Sequence, residues 1–173
     1  MRLSLSRIFG AGLLVLIVAG VLLPESPRIP VQGATAKDWN PQSFWYYPWG
    51  ISGTHKGIDI FAKEGTPVLA STHGLVIRSG VDSIGGNVVA VLGAKWRIHY
   101  YAHLQTIGVT SGQWIAAGTH LGTVGTSGNA QGKPPHLHYD IRTLYPQVWL
   151  YDSGRKQAWK RIFFVDPNRF FET

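Results

Sequence analysis

The 173-residue sequence has no cysteine and a single methionine. Without cysteine there is no disulfide scaffold, no thiol nucleophile and no thiolate-held zinc, so any metal must sit on histidine and carboxylate. Charge is scarce too, at 14% of residues against 45% apolar, which excludes a disordered chain. Acids are the minority charge, 9 against 16 Lys and Arg, for a formal net charge of +7. That excess favours an anionic partner surface without identifying it, and no nucleic-acid partner is expected. Several signatures are missing as well. There is no His-Glu-x-x-His, so the helix-borne zinc-protease layout is excluded. There is no Gly-x-Ser-x-Gly, no phosphate loop, no internal repeat and no coiled-coil heptad.

Turn formers and aromatics are plentiful. Glycine (21) and proline (10) accompany 7 each of Trp, Tyr and Phe. Short elements joined by tight turns follow, and the fold class is mainly β.

Three regions are legible. In residues 1–23, Arg2 and Arg7 precede an unbroken apolar run from Ile8 to Leu23 that shows no polar face. This is the layout of a signal peptide or an N-terminal membrane anchor. The only good small-x-small site, Ala34-Thr35-Ala36, lies far beyond the run, so an uncleaved anchor is the preferred reading. The positive end stays cytoplasmic, and the rest of the chain is exported. It would face the periplasm or cell wall from the inner membrane, or be secreted if cleaved. Residues 24–40, rich in Pro, Gly, Ser and Thr, read as a linker. Residues 41–173 form the domain that carries the chemistry. From Lys37 onward there are 13 basic and 8 acidic residues, so the positive excess lies mostly in the exported part.

Short apolar runs bounded by turn residues mark strands at 67–70, 74–78, 87–92, 97–104, 120–124 and 136–142. No window from 41 to 173 keeps a long 3.6-residue period. Gly154-Arg155-Lys156-Gln157 reads as a solvated hairpin tip, and Asp166-Pro167-Asn168 as a turn.

The chemistry concentrates in seven histidines. His136 and His138 are one residue apart, so on a strand both face the same way, with Leu137 and Tyr139 facing the core. A structural reading of such a pair stays open. His55 and Asp59 lie four apart around Gly57, which argues for a bend that brings both side chains to one point. A catalytic zinc takes three His or carboxylate ligands and keeps a position for water. His55, Asp59 and one histidine of the 136/138 pair meet that count, and the others are available for proton transfer. His99, Tyr101 and His103 share a face if β alternation holds, which makes His99 a groove-lining candidate. His73 and His120 sit at turns and read as surface residues. Asp140 either steadies a ligand imidazole or is simply an acid at a strand end. In the aromatic run Phe44-Trp45-Tyr46-Tyr47-Pro48-Trp49, either Tyr46 or Tyr47 is placed to bind substrate beside the groove, and packing on the sheet edge is the plainer alternative.

Four motifs in order resemble one family. His55-Lys56-Gly57-Ile58-Asp59-Ile60, with Gly65-Thr66-Pro67-Val68 and Gly74-Leu75-Val76, resembles the first half of the lysostaphin-type (LytM-domain) zinc metallopeptidases. Tyr101-Ala102-His103-Leu104 resembles their middle motif. Gly122-Thr123-Val124-Gly125-Thr126-Ser127-Gly128, followed by Pro135-His136-Leu137-His138-Tyr139-Asp140, resembles their last, and Phe164-Val165-Asp166-Pro167 their end. The resemblance covers about residues 48 to 170. It implies an antiparallel β-sheet groove fold of the LytM/lysostaphin (duplicated hybrid motif) type. It implies one Zn2+ held by the positions of His55, Asp59 and His138, with His103 and His136 as the catalytic histidines. It implies a peptidoglycan endopeptidase cutting a stem-peptide cross-link or a glycine-rich bridge. Some relatives have lost ligands and regulate amidases instead, and a secreted glycine-rich protein is a further candidate substrate. Two departures touch substrate choice: Pro134 stands where glycine often precedes Pro-His, and the segment from Thr143 to Ile162 is longer and more aromatic than a minimal domain needs.

Overall fold

The computed structural model describes residues 5–171. A first helix, α1 (Leu5–Leu22), occupies the N-terminal apolar run. No helix among the described residues is long and apolar enough to cross a membrane, so the expected spanning anchor is not found there. Instead α1 rests on the turn at Ala94–Trp96, where the Trp96 indole N–H donates to the Ile17 carbonyl at 3.0 Å.

Nine strands follow among the described residues: β1 (Ile58–Phe61), β2 (Pro67–Leu69), β3 (Gly74–Asp82), β4 (Gly86–Leu92), β5 (Arg97–Ile107), β6 (Trp114–Ile115), β7 (His120–Val124), β8 (His136–Thr143) and β9 (Phe164–Val165). They form one sheet in the order β1-β8-β5-β4-β3-β6, with β7 bridging β2 and β5 and β9 added to β8. Every pairing is antiparallel. The mainly β, antiparallel expectation therefore holds. Among the described residues, the helices after β1 are all short, α2 (Ala158–Arg161) and α3 (Asn168–Phe171) included. α2 begins directly after the expected hairpin tip.

Alternation sorts the strand residues into two faces. On β8, Leu137, Tyr139 and Ile141 are fully buried, and on β1 so are Ile58 and Ile60. They pack with Val89 and Val91 of β4, Tyr101 of β5 and Leu121 of β7 into the core. The opposite face of β1 and β8 carries the polar residues of the site.

Residues 24–40 differ from the linker expectation. Val31 forms a bridge to Val68 and is 2% exposed. The Arg28 amide donates to the Ser71 carbonyl at 2.9 Å, and the Leu69 amide donates to the Pro30 carbonyl at 2.8 Å. Glu25 is buried against Arg97. Trp39 is buried and donates its indole N–H to Asn168 Oδ1 at 2.8 Å. The segment is a strap across the back of the sheet. Its prolines favour an extended chain, and an extended chain can pair as well as dangle.

Gly57 shows how tightly the entry to β1 is packed. A Cβ there would collide with the Tyr139 carbonyl and the Asp140 side chain. Gly57→Ala is expected to cost about 1–3 kcal/mol through overpacking, read as a lower thermal midpoint. An unchanged midpoint would show that the β1–β8 approach has slack.

Candidate metal centre

The three ligand candidates come from two kinds of backbone. Asp59 and His138 are direct cross-strand partners in the β1–β8 ladder, so the sheet register sets their separation. His55 precedes β1 in a loop. Its backbone is held by two hydrogen bonds: its amide donates to the Tyr46 carbonyl (3.0 Å), and its carbonyl accepts from the Trp45 amide (2.6 Å).

Their side chains converge. His55 Nε2 lies 2.9 Å from Asp59 Oδ1, His138 Nδ1 lies 2.8 Å from the same oxygen, and the two ring nitrogens are 3.1 Å apart. His55 Nδ1–H donates to the Ser43 carbonyl at 3.0 Å, which leaves Nε2 as its lone-pair nitrogen. Two imidazole nitrogens and a carboxylate oxygen thus aim at one point, a concentration of electron pairs that calls for a proton or a cation. Ligand atoms around a four-coordinate zinc at about 2.0–2.1 Å stand roughly 3.3 Å apart, close to these separations. The three form a His-Asp-His group able to hold a metal ion, and the donor chemistry fits zinc.

The surroundings favour charge at this point. Burial would raise the Asp59 carboxyl, but hydrogen bonds from His138 and His55 outweigh it and hold the group well below the usual carboxylate range. Burial pulls His138 down, and the Asp140 and Asp59 carboxylates lift it beyond that loss to about 9. Asp140 Oδ2 is 3.7 Å from His138 Nε2, an electrostatic contact rather than a hydrogen bond. Asp140 is itself clamped by Arg142, with Nε–Oδ1 at 2.8 Å and Nη2–Oδ2 at 2.9 Å.

A metal ion must displace the His138 proton. With His138 at about 9 in the metal-free chain, the proton competes at every pH below that value. Zinc affinity is therefore expected to fall by up to about tenfold per unit as pH drops from roughly 8.5 to 6.5, measured by competition with a chromogenic chelator. Affinity flat over that interval would remove His138 from the ligand set.

The two remaining histidines stand beside the cluster. His136 Nε2 is 4.0 Å from Asp59 Oδ2, and the His136 and His103 rings are 5.1 Å apart. Each donates its Nδ1–H to a backbone carbonyl, His136 to Pro134 (2.8 Å) and His103 to Ser127 (2.9 Å). Each therefore keeps its lone pair on Nε2. Burial, then the neighbouring His138 and His136, lower His103 to about 4, so it is neutral at pH 7. All five residues line one groove of about 620 Å3.

His103 reaches this groove against simple alternation. His99 and Tyr101 face the core, and Tyr100 and Ala102 line the groove. At His103 φ is +65°, and the register of β5 on β4 slips between Asn87 and Val89. This bulge turns two consecutive side chains, Ala102 and His103, to the groove. The expectation that His99, Tyr101 and His103 share a face is corrected accordingly. His99 does not line the groove. It is fully buried, its Nδ1 2.6 Å from the Tyr139 hydroxyl, and burial lowers it to about 3, so it is a neutral core residue.

Tyr46 and Tyr47 are also not brought to the groove lining. Tyr46 stands edge-on to Trp49, and the Tyr47 ring faces the Lys156 ammonium. The member of that aromatic run that lines the groove is Trp49. Arg142 also lines the groove, a role the sequence motifs do not announce. The signal for it is its place on the His136-His138-Asp140 face of β8.

Comparisons with known proteins agree with this arrangement. The pattern of Peptidase family M23 matches residues 53–150. The L-Ala--D-Glu endopeptidase of Bacillus subtilis is 34% identical over 135 residues, 72% of this chain and 41% of that protein. The peptidoglycan DD-endopeptidase ShyC of Vibrio cholerae is 37% identical over 87 residues, half of this chain and 20% of its own. The chain thus spans less than half the length of either relative. The catalytic domain of the antimicrobial peptidase lysostaphin from Staphylococcus simulans superposes with a TM-score of 0.60 at 26% identity, covering 76% of this chain and 90% of that one. More than half of the sequence falls within the matched span, which begins just before His55 and runs past His138, and the chain belongs to peptidase family M23.

Proposed function

We propose that the protein is a zinc-dependent endopeptidase acting on the peptides of peptidoglycan, in the stem cross-link or a glycine-rich bridge. The observation that carries this reading is the convergence of His55 Nε2, Asp59 Oδ1 and His138 Nδ1 beside two imidazoles whose Nε2 atoms carry the lone pair. A zinc ion held by those three side chains supplies Lewis acidity, polarising a peptide carbonyl and making water a stronger acid. The chain's own residues handle the protons. His103, neutral at pH 7, accepts the proton of the attacking water at Nε2, or His136 does, and the same nitrogen returns it to the leaving amine. The imidazolium formed in between stabilises the oxyanion of the tetrahedral intermediate. Asp140, fixed by Arg142, holds the electrostatic orientation of His138 from behind. A complete ligand set argues against the alternative of a non-catalytic amidase regulator.

One relative named above is a peptidoglycan DD-endopeptidase and another an L-Ala--D-Glu endopeptidase, and the positive region from Lys37 onward suits a polyanionic wall. We place the domain outside the cytoplasmic membrane, because basic residues precede an apolar N-terminal run. The test is zinc-loaded full chain on isolated sacculi, with a chelated control and mass spectrometry of the released fragments. Metal-dependent release of stem or bridge peptides is expected, and the fragment masses identify the bond. Zinc-bound protein that releases nothing would overturn the reading.

A further inference from the structure

Of the three ligand candidates, His55 alone is not placed by the β ladder. Its loop follows a turn in which Gly50 and Gly53 both have positive φ, +43° and +75°. A side chain on such a loop needs other restraints if its Nε2 is to stay aimed within a few tenths of an ångström. Two are present. One is the Nδ1–H donation to the Ser43 carbonyl. The other is Trp49, whose ring lies flat on the imidazole, with centroids 4.2 Å apart and planes 27° off parallel.

Trp49 is itself anchored. Its amide donates to the Gly53 carbonyl at 2.8 Å, and its carbonyl accepts from Ser52 Oγ at 3.1 Å. The Ser52 carbonyl is tied in turn to Gln157 Nε2 at 2.9 Å. Tyr46 meets the indole edge-on at 6.2 Å. Trp49 stays 37% exposed and lines the groove, whereas His55 beneath it is 1% exposed. A single hydrogen bond at Nδ1 leaves the imidazole free to swing about its Nδ1···O axis. A flat aromatic face removes that freedom and keeps water off the ring.

We propose that Trp49 is the positioning residue for His55, holding the plane of its imidazole so that Nε2 points to Asp59 and His138. The proposal rests on the metal-centre reading above. It makes the aromatic run before the first motif a working part of the metal site, through Trp49 rather than through either tyrosine.

The test uses the full chain with Zn2+ and Co2+ as probes. Zinc affinity is measured by chelator competition, and the visible spectrum of the Co2+ form reports ligand geometry. Trp49→Ala is expected to weaken zinc by about 10–100-fold, as loss of an outer-shell partner does, and to alter the cobalt spectrum. Trp49→Phe, which keeps a flat ring, is expected to restore most of the affinity and the spectrum. Trp49→Leu, which fills space without a ring face, should behave like Trp49→Ala. Thermal melts of all three establish folding, and the Phe and Leu variants carry the comparison if the alanine variant unfolds. Trp49→Leu with wild-type affinity and spectrum would overturn the proposal and leave Trp49 as groove wall only. A wild-type chain that binds neither ion would overturn the metal-centre reading, and the proposal with it.

Discussion

His138→Ala protein will bind zinc more weakly than wild type by more than the roughly 10–100-fold that loss of an outer partner costs, and will release no peptide from sacculi. The reason is arithmetic of donors. The cluster has three, and Nδ1 of His138 lies within 3.1 Å of both others. Its removal leaves one imidazole and one carboxylate, too few to hold a catalytic zinc. It also deprives Asp59 of the leading hydrogen bond that keeps its carboxyl acidic. The measurement is a chelator competition run beside the sacculus assay. Retention of tight zinc binding would show that the metal sits elsewhere.

His103→Ala is expected to separate binding from turnover. His103 Nε2 is not among the converging donors, so zinc affinity should match wild type. Loss of a general base typically costs about 10²–10⁴ in rate, and kcat on a defined peptide should fall within that interval while KM changes little. The two variants therefore differ in kind: one empties the site, the other leaves it loaded and idle. His103→Asn is a useful companion, because asparagine tolerates positive φ and preserves the bulge. Full turnover by His103→Ala would refute its catalytic role and leave His136 as the base.

Much of this site is legible in the sequence, and the reasons are local. His136 and His138 share a face because strands have period two, and β8 is regular from end to end. The bend around Gly57 brings His55 to Asp59, and the close approach of the Tyr139 carbonyl explains why glycine stands there. Strands β3, β4, β5, β7 and β8 coincide with apolar runs between turn residues. What escapes the sequence is set by contacts between distant segments. β6 and β9 have two residues each, too short for any pattern, and exist because β3 and β8 offer them open edges. The strap over residues 24–40 looks like a linker because its composition is that of a loop, yet Val31 and Trp39 are core residues. His99 and His103 look equivalent by alternation. A bulge that no propensity scale registers sends one to the core and the other to the groove.

That irregularity in β5 makes the His103 imidazole a captive of strand alignment. His103 is aimed by one residue too many between Leu104, opposite Asn87, and Tyr101, opposite Val89. The His103 amide donates to the Gly85 carbonyl at 2.8 Å, and Asn87 Nδ2 donates to the Leu104 carbonyl at 3.0 Å, so the β3–β4 turn and the start of β4 act as the latch. A substitution at Asn87 that let the extra residue migrate along the ladder would rotate His103 away from its neighbours without altering any group that touches substrate. The chain would remain folded and metal-competent while its chemistry stopped. In screens for inactive variants, positions in this hairpin should therefore surface beside the histidines themselves, disarming the protein by misalignment rather than by deletion.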